Sequence, residues 1–364
     1  MDWNNFFNPY NLPVIPYSPG LREEQIREIC EVDTIYKLSS NESPFSPFPS
    51  ALKAMAECLP LLNEYSDGSS HALTMRLAEH YGVEPEQIMV GNGSNELLCL
   101  IAQSCLMPED EVVYCWPSFV VYRSSTQLAG ATAIEVPLTE EGVFDLDAMA
   151  AAITDKTKLV FICSPNNPSG GVISAADFDA FINKLPDHVL LVLDIAYIEF
   201  VDDEDAIDFM RYFDGVRPLV ILKTFSKMYS MAGIRCGYGI APKEIVEAFN
   251  RVREPFNVNS VAQAGALACF DETEEIARRR ALNSAGKQQL YQCFDELGLS
   301  YYRSGANFIW VHIPNAAERF NQLLKMGIIV RAVPGAEGLR VGVGDEEGVR
   351  ATIDAFKQLF GKTQ

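Results

Sequence analysis

A chain of 364 residues with 48% apolar and 21% charged side chains can bury a sizeable core, which excludes disorder as its main state. Asp and Glu outnumber Lys and Arg 49 to 29, and the formal charge of −20 repels phosphate backbones and anionic membranes, so nucleic-acid binding is disfavoured. No uncharged apolar run reaches the roughly 18 residues of a membrane helix, no secretory signal opens the chain, and nine scattered cysteines without Cys-x-x-Cys read as reduced core thiols; a cytoplasmic enzyme or binding protein is expected.

In chain order, residues 1–48 are rich in Pro, Asn and aromatics, as in Asn8-Pro9-Tyr10, Ile15-Pro16-Tyr17 and Ser46-Pro47-Phe48-Pro49, and predict an extended, wrapping arm with no packed helix. A helix follows over 70–81 and a strand over 87–90, then the turn Gly91-Asn92-Gly93-Ser94-Asn95 opens an apolar helix to Leu106. Short apolar runs over 111–115, 131–136, 158–163, 189–193 and 219–222 alternate with helical patterns over 146–153 and 175–185. This alternation predicts an α/β fold: a large domain with a mainly parallel sheet and helices on both faces. Beyond Pro255 about fifty helical residues precede strands at 308–313, 328–333 and 339–343 and helices at 316–326 and the C-terminus, a smaller α+β domain. The division expected is an arm over 1–40 that contributes to the small domain and a dimer contact, a large domain over 41–270 and a small domain over 271–364.

Four segments carry chemistry. Gly91-Asn92-Gly93-Ser94-Asn95-Glu96 joins a strand to a helix start, whose open amides and positive dipole end favour a phosphate. Cys163-Ser164-Pro165-Asn166-Asn167-Pro168-Ser169-Gly170-Gly171 is a stiff turn after a strand that leaves Asn167 to aim its amide into a crevice. Val192-Leu193-Asp194-Ile195-Ala196-Tyr197 ends an apolar strand in a carboxylate and a phenol, at the sheet end where ligands of open α/β folds collect. A buried Asp194 needs a cation, such as a protonated ring nitrogen. In Thr224-Phe225-Ser226-Lys227, with Arg235 following, the lysine is a Schiff-base candidate and Thr224, Ser226 and Arg235 suit a phosphate. Taken singly, an isolated lysine is far more often a solvated side chain, the asparagine segment is on composition a turn, a glycine-rich strand-to-helix turn is common without a ligand, and the aspartate is as readily a loop cap; together they call for a phosphorylated ligand with an aldehyde and a basic ring nitrogen, and pyridoxal 5′-phosphate has all three.

With these residues the sequence resembles the fold-type I pyridoxal-phosphate aminotransferases (class II), and among them the histidinol-phosphate aminotransferase family, over nearly the whole chain. Further segments similar to that family, in its order, are Leu38-Ser39-Ser40-Asn41-Glu42-Ser43-Pro44, Tyr65-Ser66-Asp67-Gly68, Trp116-Pro117-Ser118-Phe119, 253–259 and Gly327-Ile328-Ile329-Val330-Arg331. The resemblance implies that Lys227 carries the cofactor, Asp194 partners the pyridine nitrogen, and Asn167 and Tyr197 bond the phenolic oxygen. Ser94, Asn95, Thr224, Ser226 and Arg235 would hold the phosphate, with Tyr65 reaching it from a partner subunit. Phe119 would stack on the ring, and Tyr17, Asn167, Arg331 and Arg340 would contact substrate. The implied enzyme is a homodimer moving an amino group from L-histidinol phosphate to 2-oxoglutarate.

The sequence departs from the family at Ile195, where Glu is common; at Phe119, where Tyr is usual; and in a short segment between Arg331 and Arg340. Rival readings are an aromatic amino-acid aminotransferase, a decarboxylase of an amino-acid phosphate such as threonine phosphate, and a non-catalytic cofactor-binding regulator, the last disfavoured by the acidic charge and the short arm. The four histidines, 71, 80, 188 and 312, lack metal-ligand spacing, and the acidic run 202–205 lacks the glycine and bidentate glutamate of a calcium loop, so no metal is expected.

Overall fold

The computed structural model describes residues 3–16, 23–30, 32–202, 206–333 and 337–361. Strands form where apolar runs are continuous: all of Leu190–Asp194 is buried, as are six of the seven residues of Thr157–Cys163. Such runs, without polar alternation, belong to strands covered on both faces. Each fully buried Leu, Ile or Val in them contributes about 1.5–3 kcal/mol relative to an exposed one.

Seven strands make the main sheet, in the spatial order Ile88–Gly91, Gly237–Ile240, Leu219–Thr224, Leu190–Asp194, Thr157–Cys163, Glu111–Trp116 and Thr132–Pro137. Pairing is parallel except for Gly237–Ile240, which runs antiparallel to both of its neighbours. In register, Asp194 lies opposite Cys163 on one side and Leu222 on the other. The carboxyl ends of the central strands therefore finish within two residues of one another, which brings the turns that follow them to one crevice.

A second apolar cluster, with Leu38, Leu290, Phe294, Val341 and Phe356, is built on the helices Thr273–Leu297, Ala316–Lys325 and Glu346–Phe360. Its antiparallel sheet sets Leu339–Gly342 between Arg331–Ala332 and Phe308–Val311. Where one strand is expected over 328–333, two short ones occur. Ile328–Ile329 pairs in parallel with Tyr36–Lys37, and after Val330 the chain changes partner to Leu339–Gly342. The apolar pattern is the same for either partner, so it cannot reveal the switch.

The arm departs from expectation at Glu23–Ile29, which is helical. This stretch is free of proline, and Ile26 is fully buried against Leu324 and Ile329. Trp3, Phe6, Phe7, Tyr10, Leu12 and Ile15 are exposed, and Tyr10 also lies on Gly130, where a Cβ would meet its ring at 2.8 Å. All nine cysteines are free thiols.

The long helix Thr273–Leu297 is tied to the segments 46–48 and 228–230 by a buried arginine. Arg279 Nε donates to Glu275 at 2.8 Å, Nη2 to the Ser46 carbonyl at 2.9 Å and Nη1 to Ser230 Oγ at 2.5 Å, and the guanidinium lies 4.2 Å over the Phe48 ring. These bonds hold the segment just after Lys227.

Candidate active site

The strand ends open on a cavity of about 250 Å³. Ser94, Asn95, Phe119, Asn167, Asp194, Tyr197, Thr224, Ser226, Lys227, Arg235, Arg331 and Arg340 all line it. Tyr65 does not: it is 84% exposed and stacks on Phe256 with centroids 4.6 Å apart. Tyr17 and residues 203–205 of the acidic run lie outside the described residues.

Asp194, the last residue of its strand, is 3% exposed. Its Oδ2 accepts from the Tyr122 hydroxyl at 2.8 Å and its Oδ1 from the Ala196 amide at 3.2 Å. Burial outweighs these bonds, and the nearby Lys227 amine, and pushes the carboxyl up to about 6. Tyr122 belongs to none of the sequence segments singled out for chemistry. It sits one helical turn beyond Phe119, at the start of Val120–Leu128, and stacks on Phe161 at 4.7 Å. The spacing from Phe119 is the one available signal, since positions three apart share a helix face. Ile195, in place of a common Glu, is buried in the core, and Asp194 still reaches the cavity.

Lys227 projects from the turn after Leu219–Thr224 and donates from Nζ to the Ser40 carbonyl at 3.1 Å. Loss of solvent within the cavity, then the Arg340 charge, lowers its amine to about 8. Arg340 in turn donates to Asn167 Oδ1 and the Ser39 carbonyl. Asn41 Nδ2 donates to the Tyr197 hydroxyl at 2.9 Å, and Asn307 Nδ2 to the Asn41 carbonyl at 3.2 Å. The carbonyls of Ser39, Ser40 and Asn41 thus each take a bond from a different side chain, strapping 39–41 across the site. No sequence pattern announces such carbonyl contacts, because they depend on chain path alone.

The turn at 163–171 divides its two asparagines. Asn166 is fully buried and structural, donating to Ser169 Oγ at 2.8 Å and the Pro117 carbonyl at 3.2 Å and accepting from Ser118 Oγ at 2.7 Å. Asn167 faces the cavity.

The helix Ser94–Cys105 begins after Gly93 with no side-chain cap. Gly93 has φ +82°, and a Cβ there would sit 2.6 Å from Arg235 Nη2; a Cβ on Gly237 would lie 2.4 Å from the Ser94 amide. Both glycines keep this helix start open beside the guanidinium. Around it, Thr224 Oγ1 donates to Ser226 Oγ at 3.0 Å, and Arg235 Nη1 donates to Ser226 Oγ at 3.4 Å and the Ala232 carbonyl at 2.9 Å. Hydroxyls, open amides and one guanidinium make a cup suited to a phosphate. The segment 253–259 braces it: Arg253 donates to the Gly68 carbonyl at 2.6 Å, and Asn257 to Glu96 Oε2 at 2.7 Å, the oxygen that also accepts from the Asn92 amide.

Arg331 and Arg340 are direct cross-strand partners. Like charges so placed repel, and a shared anion relieves the repulsion.

The profile of the family described as Aminotransferase class I and II matches residues 33–356. A histidinol-phosphate aminotransferase of Methylobacillus flagellatus is 44% identical over 363 residues, covering 97% of each chain. One from Moorella thermoacetica is 41% identical over 354 residues, covering 96% of this chain and 92% of its own. A solved structure of histidinol-phosphate aminotransferase from Sinorhizobium meliloti, in complex with pyridoxal-5′-phosphate, superposes with a TM-score of 0.88 at 25% identity over 97% of each chain. On its sequence and on the sheet that positions its cavity, the chain belongs to the aminotransferase class I and II family.

Proposed function

We propose that the protein is a pyridoxal-phosphate-dependent aminotransferase that passes the amino group of L-histidinol phosphate to 2-oxoglutarate, a step of histidine biosynthesis. The observation that carries this reading is one cavity lined by Lys227, Asp194, a phosphate-suited cup and a cross-strand arginine pair. The donor set fits the cofactor. A buried carboxylate with a raised pKa matches a protonated ring nitrogen, an uncapped helix start beside Arg235 matches the phosphate, and an amine lowered to about 8 matches an aldehyde.

In this reading Ser94, Asn95, Thr224, Ser226 and Arg235 hold the phosphate, Asp194 the ring nitrogen, Asn167 and Tyr197 the phenolic oxygen, and Phe119 the ring face. When bound, pyridoxal phosphate supplies an aldehyde that condenses with amines and a conjugated ring that takes up the electron pair left at carbon when a proton departs. Lys227 Nζ accepts that Cα proton and returns one, as suits an amine whose pKa lies close to the working pH. The charge on Asp194 raises the proton affinity of whatever ring nitrogen it faces.

Arg331 and Arg340, with Tyr17, take the donor's phosphate and then the acceptor's carboxylate, since a guanidinium fork suits both anions. An aromatic donor needs one arginine for its α-carboxylate and gains nothing from a second. With 2-oxoglutarate present, kcat/KM for histidinol phosphate is expected to exceed that for histidinol at least tenfold, about 1.4 kcal/mol. Equal values, a preference for phenylalanine, or carbon dioxide release from threonine phosphate would each overturn the substrate.

We take the enzyme to be a cytoplasmic homodimer with no nucleic-acid or membrane partner, organised as an arm over 1–40, a large domain over 41–270 and a small domain over 271–364. No helix among the described residues is long and apolar enough to cross a membrane. The exposed aromatic arm and the exposed Tyr65, which is outside its own chain's cavity, support the dimer. Each Tyr65 would complete the neighbour's phosphate cup. Mixing Lys227→Ala with Tyr65→Ala chains should then restore activity above the sum of the separate preparations, because one hybrid site is intact. No gain in mixed dimers, or a fully active monomer by light scattering, would refute the shared site.

A further inference from the structure

We infer that Asn41 is a positioning residue that sets the direction of the Tyr197 hydroxyl proton, turning it into the cavity. The inference rests on the cofactor reading above and adds a residue that the cofactor contacts do not require. A phenol has one proton and two lone pairs. Asn41 Nδ2 occupies a lone pair of Tyr197 at 2.9 Å, and among the described residues no acceptor is bonded to the phenol's own proton. Tyr197 is 4% exposed, and its ring is held edge-on by Phe308 at 5.2 Å, so the C–O bond is fixed and only the proton's rotation about it is left to decide. With the Asn41 side claimed by a donor, the proton turns to the cavity that Tyr197 lines.

Asn41 is itself held by its backbone. It is 2% exposed, takes the left-handed conformation at φ +55°, and its carbonyl accepts from Asn307 Nδ2 at 3.2 Å. Asparagine is among the few residues that accept this conformation, and its amide supplies the donor that aspartate cannot. Asn41 Oδ1 is buried without a hydrogen-bond partner among the described residues, so the bond from Nδ2 to Tyr197 is the contact that holds the amide. If the amide were reversed, Tyr197 would donate to Asn41 and its proton would be lost to the cavity.

The test is a spectrophotometric pH titration of the visible band of the cofactor-loaded enzyme, compared across parent, Asn41→Asp, Tyr197→Phe and the double variant. A donated bond to the phenolic oxygen stabilises its deprotonated form and lowers the midpoint. In Asn41→Asp the Tyr197 proton turns to the carboxylate, and the midpoint is expected to rise by about one unit, tenfold in the proton equilibrium. In the Tyr197→Phe background the same substitution leaves only the effect of the added charge, and the rise is expected to be less than half as large. Equal rises in the two backgrounds, or none in either, would overturn the inference. If Asn41→Asp does not fold or load, Asn41→Gly, which keeps the left-handed backbone, takes its place. A smaller rise that vanishes with Tyr197→Phe is then expected, and no rise overturns the role. A parent enzyme that binds no pyridoxal phosphate would instead defeat the functional reading, before Asn41 is tested.

Discussion

Lys227→Ala is expected to fold, to take up pyridoxal phosphate weakly and to lose transamination by about 10⁴-fold or more, since in the proposed reading one amine both attaches the cofactor and moves the proton. Single-turnover kinetics with histidinol phosphate read the loss. Borohydride reduction and peptide mapping give an independent readout, with the label on the Lys227 peptide in the parent and on no peptide in the variant. A label on another lysine, such as Lys223, would refute the assignment. Lys223 has a structural role, for its Nζ lies 2.9 Å from Glu199 Oε1 in a largely buried pair that holds it protonated. The two lysines also separate by pH. An amine attacks an aldehyde only when neutral, so attachment to the cofactor-stripped chain should accelerate as pH rises through about 8, well below the range of an ordinary lysine. A rate still climbing steeply above pH 10 would contradict the desolvated, Arg340-facing environment of Nζ.

Asp194→Asn is expected to keep the fold and to retain cofactor through the phosphate cup and Lys227, while transamination falls by about 10²–10³-fold. The substitution is nearly isosteric. An amide oxygen still accepts from Ala196, and the amide nitrogen can donate to the oxygen of Tyr122, so the new side chain keeps both contacts while the buried Tyr122 proton gives up its carboxylate acceptor. What is lost is charge, and with it the elevated proton affinity of the ring nitrogen. Near-parent turnover in a saturated single-turnover assay would refute the role. The carboxyl's raised pKa supplies a second check. In the chain without cofactor Asp194 is protonated as pH falls through about 6, and a neutral acid attracts no pyridinium. Cofactor retention in equilibrium dialysis should therefore weaken as pH falls through this region in the parent and respond far less in Asp194→Asn.

The chemistry was legible in the sequence because it sits where strands end. An apolar run closing in Asp194, a glycine turn opening the helix at Ser94, and Thr224, Ser226 and Lys227 after another apolar run are local patterns, each produced by the need to bury strands and to satisfy a helix start. The resemblance to the class II aminotransferases ordered these pieces into one site. The nearest miss, Tyr122, follows Phe119 by a single helical turn, but a buried tyrosine on an amphipathic helix looks like core until its hydroxyl is seen on Asp194.

The sequence by itself determined the layered α/β architecture, the acidic character, and the polar side chains set at strand ends and at a helix start, because apolar periodicity and turn chemistry are short-range. Only the tertiary structure decided which distant segments close over them. It divided Ile328–Ile329 from Arg331–Ala332 by giving each a different strand partner, and so set Arg331 opposite Arg340. It threaded Ser39, Ser40 and Asn41 past Arg340, Lys227 and Asn307, contacts of backbone carbonyls that every residue owns alike. It left Tyr65 outside its own chain's cavity. Partner choice depends on loop closure and on packing between remote elements, and neither leaves a mark within the short window over which a sequence pattern can be read.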